Sequence, residues 1–160
     1  MIWKPNVTVA AIVERDGKFL LVEEYADGKL VLNQPAGHLD EGESLQDAAV
    51  RETLEETAWH FTPEALLGVY RWLHPDRGIT YLRFAFIGRV TRHDEKRALD
   101  HEIVRTVWLA PAEIRDERER HRSPLVQRCL DDFLAGQRYP LELLKELNSM
   151  ATPFVSRNIG

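Results

Sequence analysis

The apolar and polar positions of the chain alternate, cluster or recur at helical spacing, and so divide it into elements. Residues 7–14 (VTVAAIVE) and 18–25 (KFLLVEEY) are strand-like runs around Asp16-Gly17, and Asp-Gly between such runs is a strong hairpin signal. A second Asp-Gly at 27–28 leads into Lys29-Leu30-Val31-Leu32, which predicts three antiparallel strands in sequence. From about 45 to 57 the pattern turns helical, with Ser44 placed as the N-cap and Asp47 echoing a capping box three residues later. Projected at about 100° per residue, Glu52 and Glu56 share a face with Leu45, Ala48 and Ala49, while Val50 and Leu54 form a second apolar stripe. Residues 66–73 (LLGVYRWL) and 80–90 (TYLRFAFIGRV) read as strands joined by His74-Pro75-Asp76-Arg77-Gly78. In the second of these, Leu82, Phe84 and Phe86 look like the core face; Tyr81, Arg83 and Ala85 lie on the other, which sends Arg83 away from that core. Residues 104–109 predict another strand, and Pro111 opens a short helix. Ser123-Pro124 opens a longer helix, in which Leu125, Val126, Cys129, Leu130, Phe133 and Leu134 recur at helical spacing before Gly136. Residues 140–147 (PLELLKEL) predict a further short helix, and about 148–160 read as a loosely anchored tail.

Neither a repeat nor a shift in composition divides these elements, so the expectation is one domain over residues 1–160 with a substantial core. The formal charge of −5 gives no electrostatic attraction to nucleic acid or to an anionic membrane. Residues 91–102 read as a charged loop, and residues 115–122 alternate acids and bases without interleaved aromatics, which argues for a solvated loop or helix end and against a nucleic-acid patch. Cys129 is the one cysteine, so an intrachain disulfide and a cysteine-based zinc site are excluded. The six histidines show no zinc-like spacing. No apolar run approaches membrane-spanning length, and residues 7–13 lead directly into a turn and another strand, unlike a signal core. The expected location is the cytoplasm.

The candidate chemistry lies in residues 37–59, GHLDEGESLQDAAVRETLEETAW. Glu52, Glu55 and Glu56 fall within one and a half helical turns, at spacings where like charges repel by a few tenths of a kcal/mol per pair. With both sides of the helix apolar, the acids are not confined to a water-facing surface. A divalent cation would offset the repulsion, and Mg²⁺ prefers such oxygen ligands. Gly37 has no side chain, so its carbonyl can come close to a ligand. Arg51 is too near the acids to stand apart from them; pairing with Glu43 would hold the preceding loop against the helix.

The spacing Gly37, five residues, Glu43, seven residues, Arg51-Glu52, then Glu55-Glu56 resembles the Nudix box. Thr53 and Trp59 stand where that box usually has aliphatics, and Ala58 stands for its final Gly. The last difference touches the helix exit, where Gly suits a left-handed residue, and leaves the acids unchanged. Outside the box, Trp3-Lys4-Pro5, NQPAGHLD, YLRF at 81–84, RSPLV at 122–126 and GQRYPLE at 136–142 are similar to the phosphatase NudJ subgroup. The resemblance implies an α/β fold, the Nudix α/β/α sandwich with a mixed sheet and a central catalytic loop–helix. It implies a monomeric, Mg²⁺-dependent hydrolase, with Mn²⁺ able to substitute. Implied substrates are nucleoside di- and triphosphates, thiamine pyrophosphate and its hydroxymethylpyrimidine precursor, with inorganic phosphate released.

On this reading Glu52, Glu55 and Glu56, with the Gly37 carbonyl, hold the metal, and Glu43 and Arg51 orient them. Nudix proteins often add an acid from a loop outside the box; Glu102 is the first candidate and Asp100 the second. Either Glu55 or Glu102 could serve as base. Arg83 and Lys4 are candidates for substrate binding, since a guanidinium matches phosphate oxygens. Two alternatives remain: a Nudix pyrophosphohydrolase of nucleoside diphosphate derivatives, and a catalytically weak nucleotide-binding module.

Overall fold

The small and branched residues of VTVAAIV place a strand at the centre of the molecule. In the computed structural model, which describes residues 1–147, β1 (Asn6–Arg15) is buried continuously from Thr8 to Val13. A run of that kind marks a strand covered on both faces. It pairs in parallel with β6 (Thr80–His93) from Asn6↔Tyr81 to Val13↔Gly88, and antiparallel with the short β4 (Ala36–His38). The long β5 (Trp59–Leu73) continues the sheet beyond β6. The Asp16-Gly17 turn does return the chain as β2 (Lys18–Ala26), with both turn residues at positive φ. The two strands then part: only Glu14↔Phe19 and Arg15↔Lys18 pair, and β2 continues between β3 (Lys29–Asn33) and β7 (Ile103–Leu109). The expected run of three antiparallel strands is thus two hairpin turns feeding two differently directed parts of one mixed arrangement.

Helix α1 (Leu45–Thr57) covers one face of the central strands, packing Ala48 and Ala49 among Val9, Ala11, Val13, Phe61, Leu66 and Phe86. On the other face, α2 (Pro111–Asp116) and α3 (Leu125–Leu134) bring Ile114, Val126, Cys129 and Leu130 against Ala10, Ile12, Ala85 and Ile87. This is the expected α/β/α sandwich with a mixed sheet. It corrects the reading of β6 as having one core face. Both faces are covered, so Arg83 is buried rather than turned out to solvent. Strand β5 also starts earlier than its apolar run, at Trp59; Pro63 is accommodated where the pairing with β6 shifts register. The predicted helix at 140–147 is a single 3-10 turn, Leu141–Leu143. The predicted tail at about 148–160 lies outside the described residues. Among the described residues, no helix is long and apolar enough to cross a membrane.

Candidate active site

Ser44 starts the helix that carries the acids: its Oγ accepts the Asp47 N–H at 3.0 Å. Ala58 ends it in the left-handed conformation (φ 59°), its N–H bonded to the Leu54 carbonyl. The acid-bearing side of α1 meets β4. There an added Cβ on Gly37 would lie 2.1 Å from Glu52 Cδ, so glycine is what lets strand and carboxylate approach. Glu56 reaches the same strand; its Oε1 accepts the Ala36 N–H at 2.7 Å.

One guanidinium organises the loop and the helix. Arg51 makes a bidentate pair with Glu43, through Nε at 3.0 Å and Nη2 at 2.7 Å. Its Nη2 also donates to the His38 carbonyl, and its Nη1 donates to Glu52 at 2.8 Å and to Glu55 at 3.1 Å. The Arg51 bond holds the Glu43 carboxyl below its ordinary range, against a smaller opposing effect of burial. Burial has the opposite effect deeper in. It pushes Glu52 up to about 7, opposed by the Arg51 bond and reinforced by Glu55 and Asp100. Glu56, 4% exposed, is likewise raised well above the ordinary carboxylate range. Burial is again the largest cause, opposed by the Ala36 N–H and reinforced by the charges of Glu24, Glu52 and Asp100.

The loop after β6 supplies one more acid. Asp100 is fixed through its N–H, which donates to the Glu55 carbonyl at 3.0 Å. Carboxylate oxygens of Glu52, Glu55 and Asp100 lie within 4.8 Å of one another. Asp100, the second candidate, is the loop acid that joins this cluster, and Glu102, the first, is not part of it. Glu102 is exposed, its carbonyl accepts the Tyr25 N–H, and its side chain lines the cleft outside that cluster. The two acids sit at different positions of one turn, in which the Ile103 N–H donates back to the Asp100 carbonyl at 2.9 Å.

Arg51 pairs with Asp40, Glu43, Glu52 and Glu55, while Glu56 and Asp100 have no cationic partner among the described residues. Among the described residues, the ion pairs of this group all end on Arg51. Clustered oxygen donors with surplus negative charge fit a hard divalent cation. Glu52 and Glu56 line an open cleft of about 870 Å³ together with Gly37, Asp100, Thr8, Asn33 and Arg83. Arg83 lies in its floor, 5% exposed, donating to Gln34 Oε1 at 3.1 Å and Asn33 Oδ1 at 3.3 Å; it has no carboxylate partner among the described residues. Lys4 is exposed ahead of β1 and is not among the residues lining the cleft. Sequence reasoning passed over Asn33, Gln34, Glu24 and Arg122; nothing in a polar pair after a strand, or in two acids inside one, sets them apart from solvated side chains.

A family model of the NUDIX domain matches residues 3–129. Phosphatase NudJ proteins from Escherichia coli and Shigella flexneri are 40% identical over 146 residues, covering 91% of this chain and 94% of theirs. The solved structure of a NUDIX hydrolase from Nitrosomonas europaea is 52% identical and superposes with a TM-score of 0.88, covering 90% of this chain and 98% of that one.

Proposed function

This chain belongs to the Nudix family and is a phosphoanhydride hydrolase; from that premise we propose that it removes the terminal phosphoryl group of its substrates and releases inorganic phosphate. The proposed substrates are nucleoside di- and triphosphates and the pyrophosphates of thiamine and its hydroxymethylpyrimidine precursor. The proposed cofactor is Mg²⁺, with Mn²⁺ substituting, and the enzyme would act as a single-domain cytoplasmic monomer. The observation that carries this reading is the 40% identity to phosphatase NudJ proteins along nearly the full length of both chains. It is joined by an acid cluster in register with the box.

In this reading Glu52, Glu55, Glu56 and Asp100, with the Gly37 carbonyl, would hold the cation. When bound, it would neutralise phosphate oxygens and lower the pKa of a bound water. The chain's own groups do the rest. Arg51 fixes Glu52 and Glu55 in position and ties the 38–43 loop to α1 through Glu43. Glu56 anchors β4 through Ala36, which sets the distance of Gly37 from the acids. Glu55 is the least buried of the three box acids, with 29% of its side chain exposed against 13% for Glu52, which supports it over Glu52 and Glu56 as the acid that would take a proton from water. Arg83, a buried cation without a carboxylate, would offset phosphate charge from the cleft floor.

The test is a panel of ATP, ADP and thiamine pyrophosphate, reading free phosphate with and without added pyrophosphatase, in Mg²⁺ and in EDTA. Free phosphate that needs Mg²⁺ and does not depend on pyrophosphatase supports the reading. Phosphate seen only after pyrophosphatase treatment places the cut elsewhere.

A further inference from the structure

The cleft has polar and aromatic groups that diphosphate chemistry leaves unused. Glu23 and Glu24 are consecutive in β2, yet each is only 6% exposed. The pairing of β2 with β7 shifts register between them, and such a bulge re-aims a side chain. Glu23 is neutralised by Arg105 and Arg120. Glu24 turns to the cleft. Its donors among the described residues, Arg122 Nη1 at 3.0 Å and Asn33 Nδ2 at 3.4 Å, both end on Oε1. Oε2 receives neither, and it is not among the polar atoms sealed away from water without a partner. It is therefore an acceptor oxygen without a donor among the described residues, on a residue that lines the cleft.

An aromatic pair lines the same space. Trp72 and Tyr81 are direct cross-strand partners in β5 and β6, with ring centroids 5.6 Å apart and planes inclined by 22°. The His74 ring lies 5.1 Å from Trp72. Two residues further along β6, on the same face, is Arg83. The loop that carries His74 is joined by the Arg77–Asp27 ion pair to the turn between β2 and β3, three residues beyond Glu24. The aromatic rim and the Glu24 wall are thereby tied across the mouth of the cleft.

We propose that Glu24, Trp72 and Tyr81 form one specificity subsite, which takes a flat nitrogen heterocycle bearing an N–H donor. The ring lies against the aromatic pair and donates its N–H to Glu24 Oε2, while the diphosphate extends to the acids of α1. This rests on the hydrolase reading above and narrows its substrates to diphosphates of amino-bearing heteroaromatic rings. Stacking accepts any flat ring. The carboxylate oxygen discriminates, because a ring without the donor leaves that oxygen desolvated and unpaired. Glu24 touches the ring and not the reacting atoms, so its effect belongs to recognition.

Adenosine diphosphate and purine riboside diphosphate differ only in the exocyclic amine and form the matched test pair. The wild type should favour the amine-bearing substrate about 10-fold or more in kcat/KM. In Glu24→Gln, Arg122 and Asn33 still donate to the amide oxygen, so the amide N–H takes the place of Oε2 and an acceptor becomes a donor. The preference should vanish or reverse. Trp72→Ala should raise KM for both substrates and leave kcat in place. Equal wild-type rates on the two substrates, or an equal loss on both in Glu24→Gln, overturns the subsite. Binding of adenosine and of purine riboside to EDTA-treated wild type, read by tryptophan fluorescence, separates this inference from the reaction. Stronger binding of adenosine supports the subsite even if neither diphosphate is cleaved, and equal or absent binding of both overturns it even if both are.

Discussion

Arg51 and the acids around it settle most of the residue-scale account. Because the guanidinium holds Glu43 by two bonds and Glu52 and Glu55 by one each, weakening the Glu43 end should misplace the other two. Glu43→Gln is expected to lower kcat about 10–100-fold, as losses of orienting partners do, with Mg²⁺ affinity changed less than in Glu56→Gln; wild-type kinetics would remove the pair from the mechanism. Glu56→Gln keeps an oxygen for the Ala36 N–H and removes a carboxyl whose ionised form is penalised by burial and by Glu24, Glu52 and Asp100. Its metal-free protein should melt at or above the wild-type temperature, while the rise in Tm produced by Mg²⁺ should shrink. A destabilised protein with an intact Mg²⁺ shift would make Glu56 structural. Glu52 gives the pH dependence. Its carboxyl is raised from 4.5 to about 7 in the metal-free fold, so the fold binds a proton that the unfolded chain has released. The stability this contributes is complete below about 4.5 and is lost as pH rises through about 7. Glu23 and Glu43, lowered by their arginines, act in the opposite sense and only below the ordinary carboxylate range. In EDTA, calorimetric Tm should therefore fall between about pH 5 and about pH 7.5, and Glu52→Gln should flatten the fall. His121, lowered by burial, opposes this fall within the same window, so a pH profile that Glu52→Gln leaves unchanged contradicts the assignment.

At the scale of elements, the junction between α1 and β5 shows how the chain tolerates a departure from the usual glycine. Ala58 takes a left-handed conformation at φ 59° and is 1% exposed. The conformation costs an alanine about 1 kcal/mol, and its buried methyl contributes about 0.8 kcal/mol. Ala58→Gly should accordingly change stability by less than about 0.5 kcal/mol, whereas Ala58→Val, branched at Cβ, should cost about 2 kcal/mol. Urea melts read both, and a large gain in Ala58→Gly would show that the methyl contributes nothing. Elements with local signals were legible in the sequence: both Asp-Gly turns, the Ser44 cap, the span of α1, and α3. What depended on distant partners was not. Strand β4 exists because β1 offers an edge, and β5 begins at Trp59 because β6 runs on to His93 beside it. The burial of Arg83 follows from α3 covering that face, and alternation along one strand says nothing of a helix more than forty residues away. Asp100 and Glu102 sit in a loop without periodicity, where only the turn geometry decides which acid joins the cluster.

For the whole molecule, the sheet is covered on both faces, and the acids of α1 meet a cleft floored by the first residues of β1 and β6. That placement gives the acids a dry side, which raises Glu52 and Glu56, and an open side, through which a phosphorylated substrate can reach them. The box was legible because its residues lie close together in sequence, while the opposite wall, with Glu24, Asn33, Trp72, Tyr81 and Arg122, comes from five separate segments that no single spacing pattern joins. The account therefore makes two separable claims, that the acids work through a divalent cation and that the cut falls at the terminal phosphate. A single ³¹P NMR time course of ATP turnover, run in Mg²⁺ and then quenched with EDTA, tests both together. The account predicts that ADP and inorganic phosphate appear first and that turnover stops on chelation. Pyrophosphate and AMP as the first products, or turnover that continues in EDTA, would contradict it.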